Sequence, residues 1–342
     1  MYPFYLGIDL HLKRTYAVLM DSQGRLVDER RLPNEEMAAY LKQKVPRETY
    51  AVLEATRNWP FMYDLLTEHV QRVELAHPKE LKAISTAAVK TDKVDARTLA
   101  HLARMNYLPI SYAAPPEIRD LRLEVRHRDS LVSQRTQAKN RIHAVLANYN
   151  LVSPVVDLFG VSGREYLEEA MQDALRPAAV RSIRSDLGLI DNLTQQITEI
   201  EGSLQLSTEQ ELQIKLLSTM PGVGRLGAII LLAEIGDIQR FHSAKALCNW
   251  AGLTPRVRSS DTHTRYGRIS KQGPALARAT MTRAATIASR CSKRWYQVHE
   301  KISLRSGRKA AKVAVARRLL TVIYYMLKRQ QPYQEDYSSK DR

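Results

Sequence analysis

A chain of 342 residues, 44% hydrophobic and 26% charged, has the composition of a folded globular protein and the length for two or three domains. Its two cysteines, Cys248 and Cys291, exclude a disulfide framework or a cysteine-rich zinc site, and its net charge of +16 points to a polyanionic partner. No apolar run reaches the roughly 18–20 residues of a membrane span, and Tyr2 to Leu10 meets charge too soon for a signal peptide, so a cytoplasmic protein of bacterial type with no membrane association is expected.

Residues 1–107 alternate strand and helix signals. Phe4 to Leu10, Thr15 to Met20 and Arg25 to Leu32 read as three short strands, with Asp21-Ser22-Gln23-Gly24 as the turn of an antiparallel hairpin. Glu35 to Lys44 reads as a helix and Thr49 to Glu54 as a strand. Pro60 to His69 follows as a helix with proline in its first turn, then Val73 to Ala76 as a fifth strand, and Pro78 opens another helix. Three antiparallel strands followed by helix, strand, helix, strand is the order of a ribonuclease H-like α/β domain.

Residues 108–209 read as a helical, coiled-coil middle. Ile118, Leu121, Val125, Leu131, Ile142, Val145 and Leu146 punctuate a long polar helix over 116–150. Arg119, Arg122, Arg126, Arg128, Arg135, Lys139 and Arg141 are assigned to its exposed face. A second helix, from about Asp186 to Leu206, spaces Leu193, Ile197, Ile200 and Leu204 for a seam within the chain or between subunits. Gly160, Gly163 and Pro177 mark the connector between the two. Residues 210–330 read as a mainly α domain interrupted by a long irregular loop, Thr254 to Pro274, and residues 331–342 as a polar tail.

The excess charge sits in one place. Residues 251–330 hold 19 Lys and Arg against Asp261 and Glu300, a net of +17, so the rest of the chain is close to neutral. A field that concentrated attracts nucleic acid. A merely solvated surface would carry more interspersed acids.

Two groups of residues carry candidate chemistry. Asp9 lies in the first strand and Glu54 ends the fourth, which neighbour each other in a ribonuclease H-like sheet. Asp92 and Asp95 stand three apart on a helix and share a face. Four converging carboxylates repel one another unless cations neutralise them, and hard oxygen donors suit Mg²⁺ or Mn²⁺. Each also has a plain structural alternative: Asp9 could bond to backbone, and Asp92 could cap the helix that contains Asp95. Asp21, Asp28, Asp64 and Asp120 read as surface.

In the C-terminal half, the turn Met220-Pro221-Gly222-Val223-Gly224 opens a helix, Leu226 to Ile235. Gly222 and Gly224 could present N–H groups to a phosphate, or the turn could be a tight helix–helix corner. Further on, Arg256, Arg258, Arg265, Arg268 and Lys271 surround Ser259 and Ser260. Serine attack on phosphorus there would store the phosphodiester energy in a protein–DNA bond and permit rejoining without ATP. A serine in a basic loop is also a common phosphate contact or turn former, and Tyr266 is a competing nucleophile.

These motifs resemble those of the DEDD insertion-sequence transposases, the group containing the Piv-type DNA invertases and the bridge-RNA-guided recombinases. The N-terminal block is Gly7-Ile8-Asp9, Glu54-Ala55-Thr56 and Lys90 to Ala96. The C-terminal block is PGVG at 221–224, LLAEIGD at 231–237, AGLTPRVRSS at 251–260 and GRISKQG at 267–273. The resemblance implies a RuvC-like domain joined by a coiled coil to a helical transposase domain, with Asp9, Glu54, Asp92 and Asp95 as metal ligands. It implies a nucleophilic serine, aligned with Ser260 while Ser259 stays open. The family usually has Gly after that serine, whereas this chain has Asp261. The expected partners are donor and target DNA, a noncoding guide (bridge) RNA, and further copies of the chain, as homodimers pairing into a homotetramer. Two other readings stand beside this one: a RuvC-like junction nuclease that hydrolyses DNA without a serine adduct, and a non-catalytic nucleic-acid-binding protein.

Overall fold

Phe4–Leu10 (β1) is apolar at almost every position because it lies inside a sheet that is covered on both faces. The structure, a computed structural model, describes residues 2–84, 91–260 and 263–335, of which 257–260 and 263–266 are described by backbone alone. It divides into two units, Met1–Ala113 and Ala114–Arg342.

In the first unit, β1 pairs antiparallel with Arg14–Asp21 (β2), and β2 pairs antiparallel with Leu26–Pro33 (β3). The Asp21 carboxylate shapes the turn between β2 and β3 by accepting from the N–H groups of Gln23 and Arg25, both at 2.9 Å. Met37–Lys44 (α1) leads to Thr49–Glu54 (β4), laid parallel to β1. Trp59–His69 (α2) leads to Arg72–Ala76 (β5), parallel to β4. Pro78–Ile84 (α3) and Asp92–Arg104 (α4) follow, and a two-residue strand, Ile110–Ser111 (β6), pairs antiparallel with β5. The order across the mixed sheet is β3-β2-β1-β4-β5-β6. β6 is too short to leave a periodic signal in the sequence.

Side chains alternate across β1 and β4. Leu6, Ile8, Leu10, Ala51 and Leu53 pack against Leu41, Met62 and Leu66 of α1 and α2. On the opposite face Tyr5, Tyr50 and Val52 pack against Leu99, Leu102 and Ala103 of α4. The outer strand β3 carries Asp28, Glu29, Arg30 and Arg31, charges that discourage pairing with another chain.

The second unit is mainly helical. Pro116–Asn148 (α5), Val161–Asp173 (α6) and Pro177–Ser203 (α7) come first. α7 starts about nine residues before the expected Asp186. Pro177, assigned to the connector, instead occupies its first turn, where a missing N–H costs no helical hydrogen bond. α5 and α7 run antiparallel, with Leu131, Leu193 and Ile197 in one apolar layer and Ala138, Ile142, Ile183 and Ile190 in another. Within this chain the seam joins two of its own helices.

Thr208–Ser218 (α8) is opened by a capping box between Ser207 and Gln210. Arg225–Ile235 (α9) is buried from Ala228 to its end. Ala244–Trp250 (α10), the strands Pro255–Ser260 (β7) and His263–Ile269 (β8), and the helices Ala275–Cys291 (α11), Lys293–Ser306 (α12) and Arg308–Arg329 (α13) complete the chain. Ile229, Leu231 and Leu232 of α9 form the centre of a core with Leu217 of α8, Met281 of α11, Leu319 and Ile323 of α13, and Leu121 and Val125 of α5.

Two expectations change here. The supposed irregular loop contains an antiparallel hairpin, β7–β8, because a two-stranded ribbon has no buried face to impose an apolar alternation. The arginines assigned to the open face of α5 are largely engaged. Arg128 pairs with Glu201 (2.6 Å), Arg135 donates to Thr194 (3.1 Å) and Arg141 Nε pairs with Asp186 (3.1 Å). Arg126 makes a two-pronged pair with the buried Glu234 (2.8 and 2.9 Å), and Arg122 donates to the Ala233 carbonyl (3.1 Å) at the C-terminal end of α9. Their acceptors lie on α7 and α9, which the periodicity of α5 alone does not reveal. Among the described residues, no helix is long and apolar enough to cross a membrane.

Candidate active site

The alternation that buries Tyr5 and Val52 against α4 carries Gly7 and Asp9 to the same face of β1, and Glu54 to the same face of β4. Ile8 pairs with Leu53, so Asp9 and Glu54 are the next residues of adjacent parallel strands, at their carboxyl ends. α4 crosses this face closely because residue 7 has no side chain. A Cβ on Gly7 would stand 2.0 Å from the Ala96 carbonyl oxygen and 2.7 Å from the Ala100 nitrogen. The seam sets the first turn of α4 beside Asp9. Thr91, rather than Asp92, caps that helix, its Oγ1 accepting from the Val94 N–H at 3.3 Å.

His11 stands between the strand and helix carboxylates. Its Nε2 lies 3.2 Å from Asp9 Oδ2 and 3.3 Å from Asp92 Oδ1, and one donor atom from each of the three residues falls within 4.8 Å of the others. Glu54 and Asp95 border this set without entering it, Glu54 by strand register and Asp95 one helical turn beyond Asp92. Arg31 Nη2 approaches Asp92 Oδ2 at 3.7 Å. Burial holds the Asp9 carboxyl above the usual carboxylate range; His11 opposes the rise, and the charges of Asp92 and Asp95 add to it. A cation among these groups would relieve the repulsion; the carboxylates suit a hard divalent ion, and the imidazole stands among them as a nitrogen donor.

The sequence does not mark His11, because a lone histidine two residues after Asp9 has no metal-ligand spacing of its own. Its backbone is fixed from both sides, the amides of Asn34 and Asn58 each donating to its carbonyl at 3.0 Å. Asn34 Oδ1 in turn accepts from Thr15 Oγ1 at 2.8 Å, and Asn58 belongs to the loop that leaves Glu54. Behind the site, Glu29 accepts from Lys93 and Arg97, both at 2.5 Å, and from the Tyr16 hydroxyl. Burial works to raise its carboxyl, but these donors outweigh it and hold Glu29 down to about 2. Glu29 thereby fastens the start of α4 to the sheet.

Ser260 is the last residue of β7, paired through its backbone register with His263. Asp261 lies outside the described residues, as do the side chains of Arg258, Ser259, Ser260, Arg265 and Tyr266. The foot of the hairpin is a clasp. Gly252 (φ +68°) and Gly273 (φ +88°) adopt left-handed backbone, and a Cβ on Gly273 would come 1.8 Å from the Trp250 carbonyl. The Lys271 N–H donates to Gly252 (3.2 Å), the Ser270 N–H to Thr254 (2.9 Å) and Arg278 to Ala251 (3.0 Å). Arg256, Arg268 and Lys271 are exposed around this clasp, with Arg256 reaching the Ser270 carbonyl at 3.3 Å.

The glycine-rich turn has a packing role. Gly222 sits on α11, where a Cβ would meet the Ala284 carbonyl at 2.3 Å, so that end of the turn is a tight helix–helix corner. Gly224, the N-cap of α9, is exposed.

Comparison with known proteins places both regions. A transposase model of the DEDD IS110 type matches residues 6–151, which contain all four carboxylates. A second model, described as Transposase IS116/IS110/IS902 family, matches residues 214–300, which contain the hairpin and its clasp. The chain is 24% identical to a probable family 20 transposase of Pseudomonas aeruginosa, over 96% of this chain and 98% of that protein. It is 24% identical to the transposase for insertion sequence element IS1111A of Coxiella burnetii, over 96% and 90% of the two chains. It is also 24% identical to the pilin gene-inverting protein of Moraxella lacunata, over 83% and 81%. With both blocks matched in order along its length, the chain belongs to the IS110/IS116/IS902 family of transposases.

Proposed function

We propose that the chain is an insertion-sequence recombinase that cuts and rejoins donor and target DNA through a covalent phosphoserine linkage. The observation carrying this reading is the approach of Asp9 and Asp92 across the strand–helix seam, with Glu54 and Asp95 beside them, in a member of a transposase family. In this reading residues 1–107 are a RuvC-like (ribonuclease H-like) catalytic domain and 108–209 a helical linker. Residues 210–330 are the transposase domain and 331–342 a tail. Asp9, Glu54, Asp92 and Asp95 would hold Mg²⁺ or Mn²⁺, which supplies positive charge to the oxygens of a scissile phosphate.

The chain's own residues perform the transfer. Ser260 Oγ gives up its proton and forms a bond to phosphorus; the sugar oxygen of the cut strand leaves and is protonated. Arg256, Arg258, Arg268 and Lys271 draw the phosphate in and balance its developing charge. A hydroxyl of the second strand then attacks the same phosphorus, re-forming a phosphodiester and returning the serine. Gly224, exposed at the start of α9, gives the turn a backbone contact to phosphate, with Gly222 holding the turn against α11. The family resemblance supports a noncoding guide RNA and homodimers pairing into a homotetramer.

The test uses the full chain, purified with any RNA it retains and supplied with DNA from the flanks of its gene. A protein–DNA adduct that survives denaturation is expected. Ser260→Ala should abolish adduct and cleavage, Ser259→Ala should leave both, and Asp9→Asn should abolish both. Cleavage that persists in Ser260→Ala would replace this reading with a metal-dependent junction nuclease. Binding without cleavage by the wild type would leave a non-catalytic nucleic-acid-binding protein. A single discrete RNA mapping beside the gene is the outcome expected of a guided enzyme.

A further inference from the structure

We propose that His11 is a nitrogen ligand of the cation held by the carboxylates, and that it biases the site toward Mn²⁺ over Mg²⁺. The inference rests on the carboxylate-site reading above. The imidazole bridges groups from two different elements, 3.2 Å from Asp9 Oδ2 and 3.3 Å from Asp92 Oδ1. An octahedral ion with bonds of ~2.1 Å sets neighbouring donor atoms roughly 3.0 Å apart, close to both distances from the imidazole nitrogen, and the two carboxylate oxygens lie within 4.8 Å of each other.

The support beneath His11 points the same way. Its side chain is 54% exposed, yet its carbonyl is gripped by both Asn34 and Asn58. An exposed histidine that only paired with a surface acid would need no such anchorage, whereas a ligand is held by the groups behind it. Asn58 also ties His11 to the loop that leaves Glu54, so one clamp registers the imidazole against both β1 and β4. Mn²⁺ shares with Mg²⁺ a preference for carboxylate oxygen, but as a first-row transition ion it accepts an imidazole nitrogen that Mg²⁺ takes poorly.

The experiment loads the full-length protein with Mn²⁺ and records pulsed electron paramagnetic resonance. A ¹⁴N coupling is expected that changes when histidine is ¹⁵N-labelled and disappears in His11→Ala and His11→Gln. Mn²⁺ binding and its displacement by Mg²⁺ give a second readout. The ratio of the Mg²⁺ to the Mn²⁺ dissociation constant should fall at least about tenfold in both variants, while Asp9→Asn should weaken both ions. Mn²⁺ that binds, depends on Asp9 and shows no nitrogen coupling overturns the role of His11 and leaves the carboxylate site standing. A wild-type protein that binds no Mn²⁺, or binds it equally well as Asp9→Asn, overturns both. The wild-type spectrum depends on no variant folding.

Discussion

Replacing Gly7 with alanine tests the seam on which the carboxylate site depends. The new Cβ would stand 2.0 Å from the Ala96 oxygen and 2.7 Å from the Ala100 nitrogen, both backbone atoms of a helix with no rotamer to yield. A carbon rests about 3.3 Å or more from a carbonyl oxygen, so α4 must retreat by roughly 1.3 Å or β1 must buckle. Overpacking of this kind costs about 1–3 kcal/mol, and for a small domain that lowers the melting temperature by roughly 5–20 °C. A 1 Å displacement of catalytic groups costs about 100-fold in rate, so recombination in a plasmid assay should fall by that factor even well below the melt. Gly188 of α7 is the control. A Cβ there meets nothing within 4 Å, and Gly188→Ala should stabilise by about 0.5–1 kcal/mol with recombination unchanged. Circular dichroism melts of the two variants decide the matter. A Gly7→Ala protein that melts within about 2 °C of wild type and recombines normally would refute the close seam.

Three further outcomes follow from contacts elsewhere. Glu29 is held at about 2 against an ordinary 4.5, so its stabilisation is complete above 4.5 and is lost as pH falls from there through about 2. Glu29→Gln should lower the melting temperature at neutral pH and flatten its acid limb across that window, and an unchanged limb would refute the network. Arg126→Ala strands the buried Glu234 carboxylate; because Arg126 is itself half exposed, the cost is about 1–3 kcal/mol in urea unfolding. Arg126→Met with Glu234→Leu should recover much of that loss, and strict additivity would count against the pair. If Lys309 and Lys312 of α13 meet phosphates, neutralising both as Gln should reduce the slope of log K against log salt on duplex DNA by about 1.8. An unaltered slope removes α13 from the interface.

Much of the first unit is legible in the sequence because β1 and β4, buried on both faces, are near-continuous apolar runs, the first interrupted by Asp9 and the second ended by Glu54. Asp92 and Asp95 are legible because an i,i+3 pair shares a helix face. What brings Asp92 to His11 is not, since it depends on how closely α4 crosses Gly7, a distance that no local period records. The arginines of α5 mislead for a related reason. Arg128 and Arg141 occupy positions with the polarity of an exposed face, and their partners Glu201 and Asp186 stand far along the chain on α7. Pro177 fits a connector and a first helical turn equally well until the apolar layers of α7 are seen.

The polar rungs between α5 and α7 have a consequence for how this arm can change. Arg128, Arg135 and Arg141 step along α5 by seven and six residues, while Glu201, Thr194 and Asp186 step back along α7 by seven and eight. Each interval is about two helical turns. Deleting one rung with its interval from both helices, the seven residues 129–135 with the seven residues 194–200, would shorten the arm by about 10 Å and return the remaining rungs to their mates. The same deletion in one helix would shear all the contacts beyond it. The arm is therefore a gauge graduated in two-turn marks, whose reach can drift by matched insertions or losses while the core around α9 is left alone.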